Sequence, residues 1–340
     1  MSGREHFEQF LNYGWKPNWH CHPEYAPLEL VLIEPRPHRN LRCVLENMSC
    51  VLPHASMTIF HSEQNAKLVH DIVQAESENN VRLLDVLPDN LTQDEYNRLM
   101  TSRELWSHFS GEKVLIFQLD SGIRYNNVLR FMQYDYIGAP WNWMIANDPR
   151  ITVGNGGFSM RSPNWMMDVA TSFSYSQQID TAEDIFFARY LMNCDEAVLP
   201  SKSTAARFSV EHVPFEDPMA FHKAYDFHES ALVERWMTTN LAPHEMETIV
   251  VIQDAWIECE NGRLVHSDGN SSDHTLRDWL KMGISTDGLM FDEHTKLSCI
   301  KTDPCPGLRK HLGILYTKDG DSFRAKIPLH KMTIADVVQL

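Results

Sequence analysis

A single carboxylate follows an apolar run near the middle of the chain. Residues 114–119 read VLIFQL, and Asp120 comes directly after them, followed by Ser121 and Gly122. Such a run is typical of a strand buried on both faces of a parallel sheet, and ligands bind at the carboxyl ends of such strands. Asp120 therefore stands where a carboxylate can hold a divalent cation against a diphosphate. From the residues alone, Asp120 could instead cap the turn after the strand.

A glycine-rich segment further along the chain has the composition of a ligand-binding loop. Gly154, Gly156 and Gly157 surround Asn155. Glycine permits positive φ and lets backbone N–H groups approach a ligand closely, while the amide of Asn155 can both donate and accept hydrogen bonds. We predict that this loop contacts the sugar of a donor or an acceptor; a plain tight turn is the alternative. Upstream, Trp141 could stack on a sugar ring or, equally, pack in the core.

Two adjacent carboxylates precede another apolar segment. Glu183 and Asp184 come immediately before residues 185–188, which read IFFA. This pattern places both at the start of a helix, where the positive end of the helix dipole favours their ionised form. A general base needs that form. The alternative is that both residues only cap the helix.

Composition and charge exclude several classes of protein. A chain of 340 residues predicts one large domain with a smaller addition. Its net charge of −16 disfavours binding to nucleic acid or to an anionic membrane. The seven cysteines are scattered and form no Cys-x-x-Cys pair, so neither a disulfide framework nor a zinc ribbon is indicated. With no signal-peptide pattern at its start and no membrane-length apolar run, the sequence predicts a soluble, cytoplasmic protein.

The elements that must position these residues alternate between strand and helix. Predicted strands cover residues 28–34, 57–61, 81–86 and 114–119, and predicted helices between them cover residues 41–51, 65–75 and 92–109. This order predicts an α/β fold whose mostly parallel sheet is flanked by helices. We assign residues 26–230 to this domain and predict that residues 1–25 form an irregular lead-in.

The pattern changes after residue 230. Residues 247–252 and 255–259 predict strand, residues 260–263 a hairpin turn, and residues 264–266 its return strand. Residues 273–282 predict a helix, and residues 312–316 and 323–327 predict a second hairpin around the turn at 318–321. We therefore predict a small α+β accessory domain over residues 231–340, to which the sequence assigns no function.

A resemblance to a known family extends from about residue 28 to residue 225. Over this stretch the sequence resembles a family of uncharacterised, glycosyltransferase-like domains that are grouped with the GT-A nucleotide-sugar transferases. The resemblance is carried by several blocks in one order: VLIEPR at 31–36, YNRLMTS at 96–102, LIFQLDS at 115–121, YDYIGAPW at 134–141, GNGGFSMRS at 154–162, EDIFF at 183–187, FSVE at 208–211 and AFHK at 220–223. It implies a GT-A-like nucleotide-binding sheet.

The resemblance also implies a plan for the site. In GT-A enzymes the first strand and a following helix hold the nucleotide, which here points to Glu34, Arg36, Asn97 and Arg98. The residues after the apolar strand, Asp120 and Ser121, are expected at the same donor. Arg36 and Arg98 could equally be solvated surface charges.

The metal site that the resemblance implies is incomplete in this sequence. GT-A enzymes usually carry Asp-x-Asp after the apolar strand, and the second carboxylate commonly binds the metal. Here the motif is Asp120-Ser121-Gly122, so the second carboxylate is missing. His222 could supply the missing ligand, and an imidazole suits Mn²⁺ better than Mg²⁺. The resemblance thus implies a metal held by Asp120 and His222; a structural histidine at 222 is the alternative.

The expected function is therefore a glycosyltransferase that moves a sugar from a nucleotide-diphosphate donor to a hydroxyl of a glycan or protein acceptor. The resemblance implies an inverting reaction with Asp184 as base and Glu183 in reserve. The main alternative is a non-catalytic carbohydrate- or nucleotide-binding protein, or a scaffold, on the same fold. An aspartate-nucleophile phosphohydrolase is less favoured, because such enzymes use paired aspartates near the first strand and Asp120 has no such partner.

Overall fold

The chain divides into two compact units. The computed structural model describes residues 1–17, 19, 28–53, 55–73, 81–109, 111–141, 151, 153–239, 250–259, 264–265, 284–285, 288–289, 310–318 and 321–328. The first unit comprises Met1–Asn126 and Tyr134–Ala242, and the second comprises Asn127–Gln133 and Pro243–Leu340. The first unit therefore continues beyond the predicted boundary at residue 230, because a helix that starts at that residue belongs to it.

Among the described residues of the first unit, nine strands form the sheets. They are β1 Leu28–Ile33, β2 Ser56–His61, β3 Val81–Asp85, β4 Lys113–Phe117, β5 Ser121–Ile123, β6 Tyr136–Gly138, β7 Phe158–Arg161, β8 Ser209–Val210 and β9 Ala220–His222. Six of them make the main sheet, in the order β3-β2-β1-β4-β7-β6. β1 pairs in parallel with both β2 and β4, and β2 pairs in parallel with β3. β7 is antiparallel to β4 and to β6.

The main sheet is flanked by helices, and the prediction of a mixed α/β fold with a mostly parallel sheet is confirmed. The ten α-helices of the described residues are α1 Gly3–Leu11, α2 Leu41–Val51, α3 Glu63–Val73, α4 Gln93–Met100, α5 Arg103–Trp106, α6 Pro163–Ser172, α7 Gln177–Asp180, α8 Glu183–Leu191, α9 Lys202–Phe208 and α10 Ser230–Thr238. None of the helices in this part of the chain is long and apolar enough to cross a membrane. All five residues of β4 are buried, as the apolar run predicted.

The predicted helix over residues 92–109 is instead two helices, α4 and α5. The break falls at Thr101 and Ser102 because their hydroxyls compete for backbone groups. The Thr101 hydroxyl donates to the carbonyl of Asn97 (2.7 Å), and the Ser102 hydroxyl accepts from the amide of Leu105 (3.2 Å), which caps α5.

The prediction of an irregular lead-in over residues 1–25 is wrong for its first part, which forms α1. A capping box starts this helix: the Ser2 hydroxyl accepts from the amide of Glu5, and the Glu5 carboxylate accepts from the amide of Ser2. His6, Phe7, Phe10 and Leu11 recur at helical spacing and are buried. Burial of this apolar face provides the tertiary stabilisation that a nine-residue helix needs.

A small three-stranded sheet, in the order β5-β9-β8, brings two distant parts of the sequence together. β5 pairs antiparallel with β9, so that Ser121 lies opposite His222 and Gly122 opposite Phe221. The amide of Lys223 donates to the carbonyl of Asp120 (3.0 Å). The residue that follows the apolar strand is thereby fixed beside the histidine at 222.

The described residues of the second unit form two antiparallel sheets. Its strands are β10 Val250–Cys259, β11 Leu264–Val265, β12 Ile284–Ser285, β13 Gly288–Leu289, β14 Lys310–Lys318 and β15 Asp321–Pro328. β10 pairs with β11 and with β14, and β14 pairs with β15, which confirms both predicted strand pairs. The predicted turn at 260–263 and helix at 273–282 lie outside the described residues, as do most of residues 231–340 on which the predicted α+β character depends.

Candidate functional site

A cavity of about 440 Å³ opens at the carboxyl ends of β1 and β4. In the strand order β3-β2-β1-β4, the chain leaves β1 toward one side of the sheet and reaches β4 on the other. Such a switch point leaves a crevice at the strand ends, which is where open α/β sheets bind ligands. The cavity is lined by Arg4, Phe7, Glu8, Leu32, Ile33, Glu34, Pro35, Arg36, His38, Arg39, Asn40, Leu91, Thr92, Gln93, Tyr96, Gln118, Leu119, Asp120 and Tyr225.

Glu34 and Arg36, which we predicted to contact the sugar-nucleotide donor, line the cavity and pair with each other. The Arg36 Nε and Nη2 donate to the two oxygens of Glu34 at 2.8 and 2.9 Å. Glu34 is buried, while the Arg36 side chain is 56% exposed. This geometry leaves a guanidinium face open to a ligand in the cavity.

Asp120 lies in the same cavity, beside a buried histidine. The His222 Nε2 is 3.2 Å from Asp120 Oδ1, and its Nδ1 is 3.2 Å from Glu211 Oε1. Both contacts are ion-pair distances, although neither meets hydrogen-bond geometry. Glu211 also accepts a hydrogen bond from the Asn155 Nδ2 at 2.7 Å. A buried chain of charged and polar groups therefore runs from the cavity to the glycine-rich loop.

The charges of Asp120, His222 and Glu211 stabilise one another. Burial alone would lower the pKa of His222, but the carboxylates of Asp120 and Glu211 raise it to about 9. Burial works against ionisation of Asp120 too, yet the adjacent imidazolium holds the pKa of this carboxyl below its ordinary value. In the protein without a bound cation, the histidine is thus a cation between two carboxylates at neutral pH.

The arrangement partly fits the divalent metal that the sequence suggested. Two metal ligands at right angles and about 2.1 Å from an octahedral ion lie about 3 Å apart, close to the separation of Asp120 Oδ1 and His222 Nε2. A ligating histidine also gives its other ring N–H to a carboxylate, which is where Glu211 stands. Within the described ranges, however, no group of three or more His, Cys, Asp or Glu side chains is placed to hold a metal. The protein therefore offers two ligands, and a diphosphate would have to provide others.

The glycines of the loop at 154–157 make room for protein side chains, which differs from the reason that the sequence suggested. Gly154 has a φ of +127°, which favours glycine. A Cβ at Gly156 would overlap the Glu183 carboxylate, and a Cβ at Gly157 would overlap the imidazole of His222. The side chain of Asn155 is likewise engaged inside the protein, since it bonds Glu211 and accepts from the amide of Gly157 at 3.1 Å. The predicted contact of this loop with a sugar stays a prediction.

Substitution of Gly157 by alanine is expected to displace His222. The added methyl group would occupy the space of the imidazole, which is held between two carboxylates, so we expect a loss of about 1–3 kcal/mol of folding free energy. Denaturant unfolding would measure the loss, and the imidazole resonances would report the displacement. Unchanged resonances and stability would mean that the close approach of Gly157 to His222 is not present in solution.

Asp184 and Glu183 have different surroundings although they are adjacent. Glu183 is buried and accepts two hydrogen bonds from the Arg161 guanidinium, at 2.6 and 2.9 Å. Asp184 is only partly buried; it accepts from the amides of Gly156 (3.1 Å) and Ile185 (2.8 Å). Burial, with the charge of Glu183 next, raises the pKa of Asp184 to about 7. Burial thus outweighs the helix dipole, which we expected to favour the ionised form of this carboxyl.

Four other predicted site residues do not line the cavity. Asn97 is buried and donates to the Tyr175 hydroxyl (3.1 Å), while Arg98 is exposed and pairs with Asp94 in the next turn of α4. Trp141 is buried in the main core. The Ser121 hydroxyl is buried and donates to the carbonyl of Gly157 (2.7 Å). Packing inside the protein accounts for the contacts of Asn97, Ser121 and Trp141, and a surface ion pair accounts for that of Arg98.

The cavity also contains residues that the sequence analysis missed. Arg4, Phe7 and Glu8 come from α1, and Tyr225 follows β9. The signal for α1 was readable, because Ser2 and Glu5 have capping-box spacing ahead of an apolar helical pattern. Nothing in the local sequence marked Tyr225, because its place depends on the pairing of β5 with β9.

Together these features define an α/β protein with a polar cavity at the switch point of its sheet. A family model described as "Protein of unknown function (DUF5672)" matches residues 83–222, a segment that includes Asp120, Asp184 and His222. No protein of curated function matches the sequence.

Two solved structures are similar to parts of this chain. One is the crystal structure of S. aureus TarS 1–349, with 10% identity and a TM-score of 0.34. The similarity covers 47% of this chain and 53% of that chain, so this chain spans about half the length of that structure. It is also similar to 4-diphosphocytidyl-2C-methyl-D-erythritol synthase from Anaerococcus prevotii DSM 20548, over 50% of this chain and 84% of that one, with 10% identity and a TM-score of 0.33.

Proposed function

We propose that this protein is a GT-A-like glycosyltransferase that uses a nucleotide-diphosphate sugar as its donor. The observation that carries the proposal is the cavity at the ends of β1 and β4, which presents Glu34, Arg36 and Asp120 to a ligand. Its volume lies in the range of ordinary small-molecule sites, about 300–1,000 Å³. Carboxylate and guanidinium groups suit the ribose hydroxyls and phosphates of a nucleotide.

The proposed reaction is a single displacement with inversion. The hydroxyl of a glycan or protein acceptor attacks the anomeric carbon of the sugar, and the bond from that carbon to the diphosphate oxygen breaks. Asp184 takes the hydroxyl proton, and the nucleoside diphosphate leaves with the electron pair. A group with a pKa of about 7 is suited to this task near neutral pH. Glu183 is less suited, because Arg161 holds both of its oxygens.

Charge on the leaving group must also be balanced. A divalent cation, Mn²⁺ in preference to Mg²⁺, would neutralise the departing diphosphate when bound. Asp120 and His222 would hold it, with Glu211 orienting the imidazole. Asp120 is well placed for this role because it lines the cavity and its side chain is 26% exposed.

The proposal predicts slow hydrolysis of one donor in the absence of an acceptor. Incubation with a panel of UDP- and GDP-sugars in Mn²⁺ should release the free nucleotide from one of them, measured by chromatography. NMR of the sugar first formed should show the anomer opposite to that of the donor. Retention of configuration would contradict the role of Asp184. Tight nucleotide binding without release of any sugar would favour the non-catalytic binding protein instead.

A further inference from the structure

The N-terminal helix forms part of the cavity and does not merely cover the core. Arg4, Phe7 and Glu8 lie on one side of α1 and line the same cavity as Glu34 and Arg36. The helix is fixed there by aromatic packing: the ring of Phe7 lies 4.8 Å from that of Tyr225 and 5.9 Å from that of Phe221. Contacts of this kind stabilise beyond the area that they bury.

This packing ties α1 to the segment that carries Asp120 and His222. Phe221 lies in β9, directly before His222, and its ring also contacts Phe10 at 5.0 Å. A Cβ at Gly122 would overlap the rings of both Phe10 and Phe221, so α1, β5 and β9 meet without a gap. The position of Arg4 is thus set by the same elements that set Asp120.

The cavity matches positive and negative groups in a strongly acidic chain. Three arginines and the three carboxylates of Glu8, Glu34 and Asp120 line it, although the chain as a whole carries a net charge of −16. Arg36 pairs with Glu34, and Arg39 pairs with Glu8. Arg4 forms no ion pair with a carboxylate among the described residues; its guanidinium lies over the Tyr225 ring, 5.3 Å from the centroid. An aromatic ring holds a cation in place without neutralising its charge.

We infer that Arg4 supplies a positive charge to the phosphates of the ligand, so that α1 is a structural part of the donor site. This inference rests on the proposed function for the identity of the ligand, a nucleoside diphosphate. The expected contact is a charge-assisted hydrogen bond from the Arg4 guanidinium to phosphate oxygens. A guanidinium that aromatic packing has already positioned loses less freedom when the phosphate binds.

The test compares Arg4→Gln with Arg42→Gln by titration calorimetry. Both changes remove one exposed arginine from a helix, but Arg42 lies outside the cavity and pairs with Glu46. Arg4→Gln should weaken binding of UDP or GDP, whichever the protein binds, and of inorganic pyrophosphate by about tenfold or more. Binding of the corresponding nucleoside should be unchanged, and Arg4→Lys should retain part of the affinity. Arg42→Gln should bind all of the ligands as the unmodified protein does.

The outcomes separate this inference from the proposed function. Equal diphosphate affinity in Arg4→Gln, with normal thermal unfolding, would overturn the role of Arg4 and leave the transferase proposal standing. Loss of pyrophosphate binding in Arg4→Gln, without turnover of any sugar nucleotide by the unmodified protein, would support Arg4 and overturn the transferase. An unmodified protein that binds neither nucleotide nor pyrophosphate would overturn both.

Discussion

Replacing Asp184 by asparagine is expected to lower donor turnover by about 10²–10⁴-fold, the usual contribution of a general base. The amide is nearly the same size as the carboxyl but cannot take a proton at neutral pH. Nucleotide affinity should change little, because Asp184 does not line the cavity. Steady-state release of the nucleotide, together with calorimetric binding, measures the two effects separately.

The same residue should set the pH dependence of the reaction. The proposed base, Asp184, would act only when it is deprotonated, and its pKa is raised to about 7. We therefore expect kcat/KM to rise with pH up to about 7 and then to become constant. In Asp184→Asn this rise of kcat/KM with pH should be absent. Asp168→Asn is the matched control, since Asp168 is an exposed aspartate on α6. A wild-type profile that is flat between pH 5.5 and 8.5 would contradict Asp184 as base.

A stability measurement checks the pKa of Asp184 independently of activity. Because its pKa is higher in the folded protein than the ordinary value of 3.8, the folded state binds the proton more tightly than the unfolded state. The contribution of Asp184 to the free energy of unfolding is fully present below pH 3.8 and is lost as the pH rises through about 7. Asp184→Asn should therefore gain stability relative to the wild type at pH 8 and gain less at pH 5.

The largest effect on stability is expected from Arg161→Met. Arg161 and Glu183 form a buried ion pair, and the guanidinium also lies 4.6 Å from the centroid of the Tyr136 ring. Methionine leaves the Glu183 carboxylate buried without a partner, which costs about 3–5 kcal/mol. In a unit of this size the thermal midpoint should fall by on the order of 10 °C.

Two comparisons make this prediction specific. Arg98→Met removes an exposed pair with Asp94 and should change stability by less than about 1 kcal/mol. The double variant Arg161→Met with Glu183→Leu removes both charges and should be more stable than the single variant, because no unpaired charge remains. If calorimetry gave Arg161→Met the same midpoint as Arg98→Met, the buried pair would not hold the start of α8 as the structure indicates.

The main sheet was predictable because its pattern is local. The apolar runs that form β1, β2 and β4 are long enough to identify from composition alone, and the helices between them show the 3.6-residue period. β5 and β9 have three residues each, too few for any periodicity to show. The meeting of Asp120 with His222 could therefore be suggested by resemblance, but its geometry depends on a strand pairing that the sequence does not display.

The glycine-rich loop shows that composition can identify a special segment without fixing what the segment contacts. Glycine at 156 and 157 is equally suited to contact with a ligand or with another part of the protein. Which one applies depends on Glu183 and His222, both distant in sequence. The central position of Glu211 depends in the same way on long-range contacts to Asn155 and His222. Such contacts arise only when the chain is folded.

The most direct test of the proposed function is thermal unfolding with UDP, GDP or CMP, each with and without Mn²⁺. A ligand at 100 times its Kd stabilises the folded state by ~2.7 kcal/mol. We predict a rise in the midpoint with one diphosphate that is larger with Mn²⁺, is lost in Asp120→Asn and is kept in Asp168→Asn. The absence of any rise with all three nucleotides, at concentrations where sugar-nucleotide enzymes are saturated, would contradict a donor site at the ends of β1 and β4.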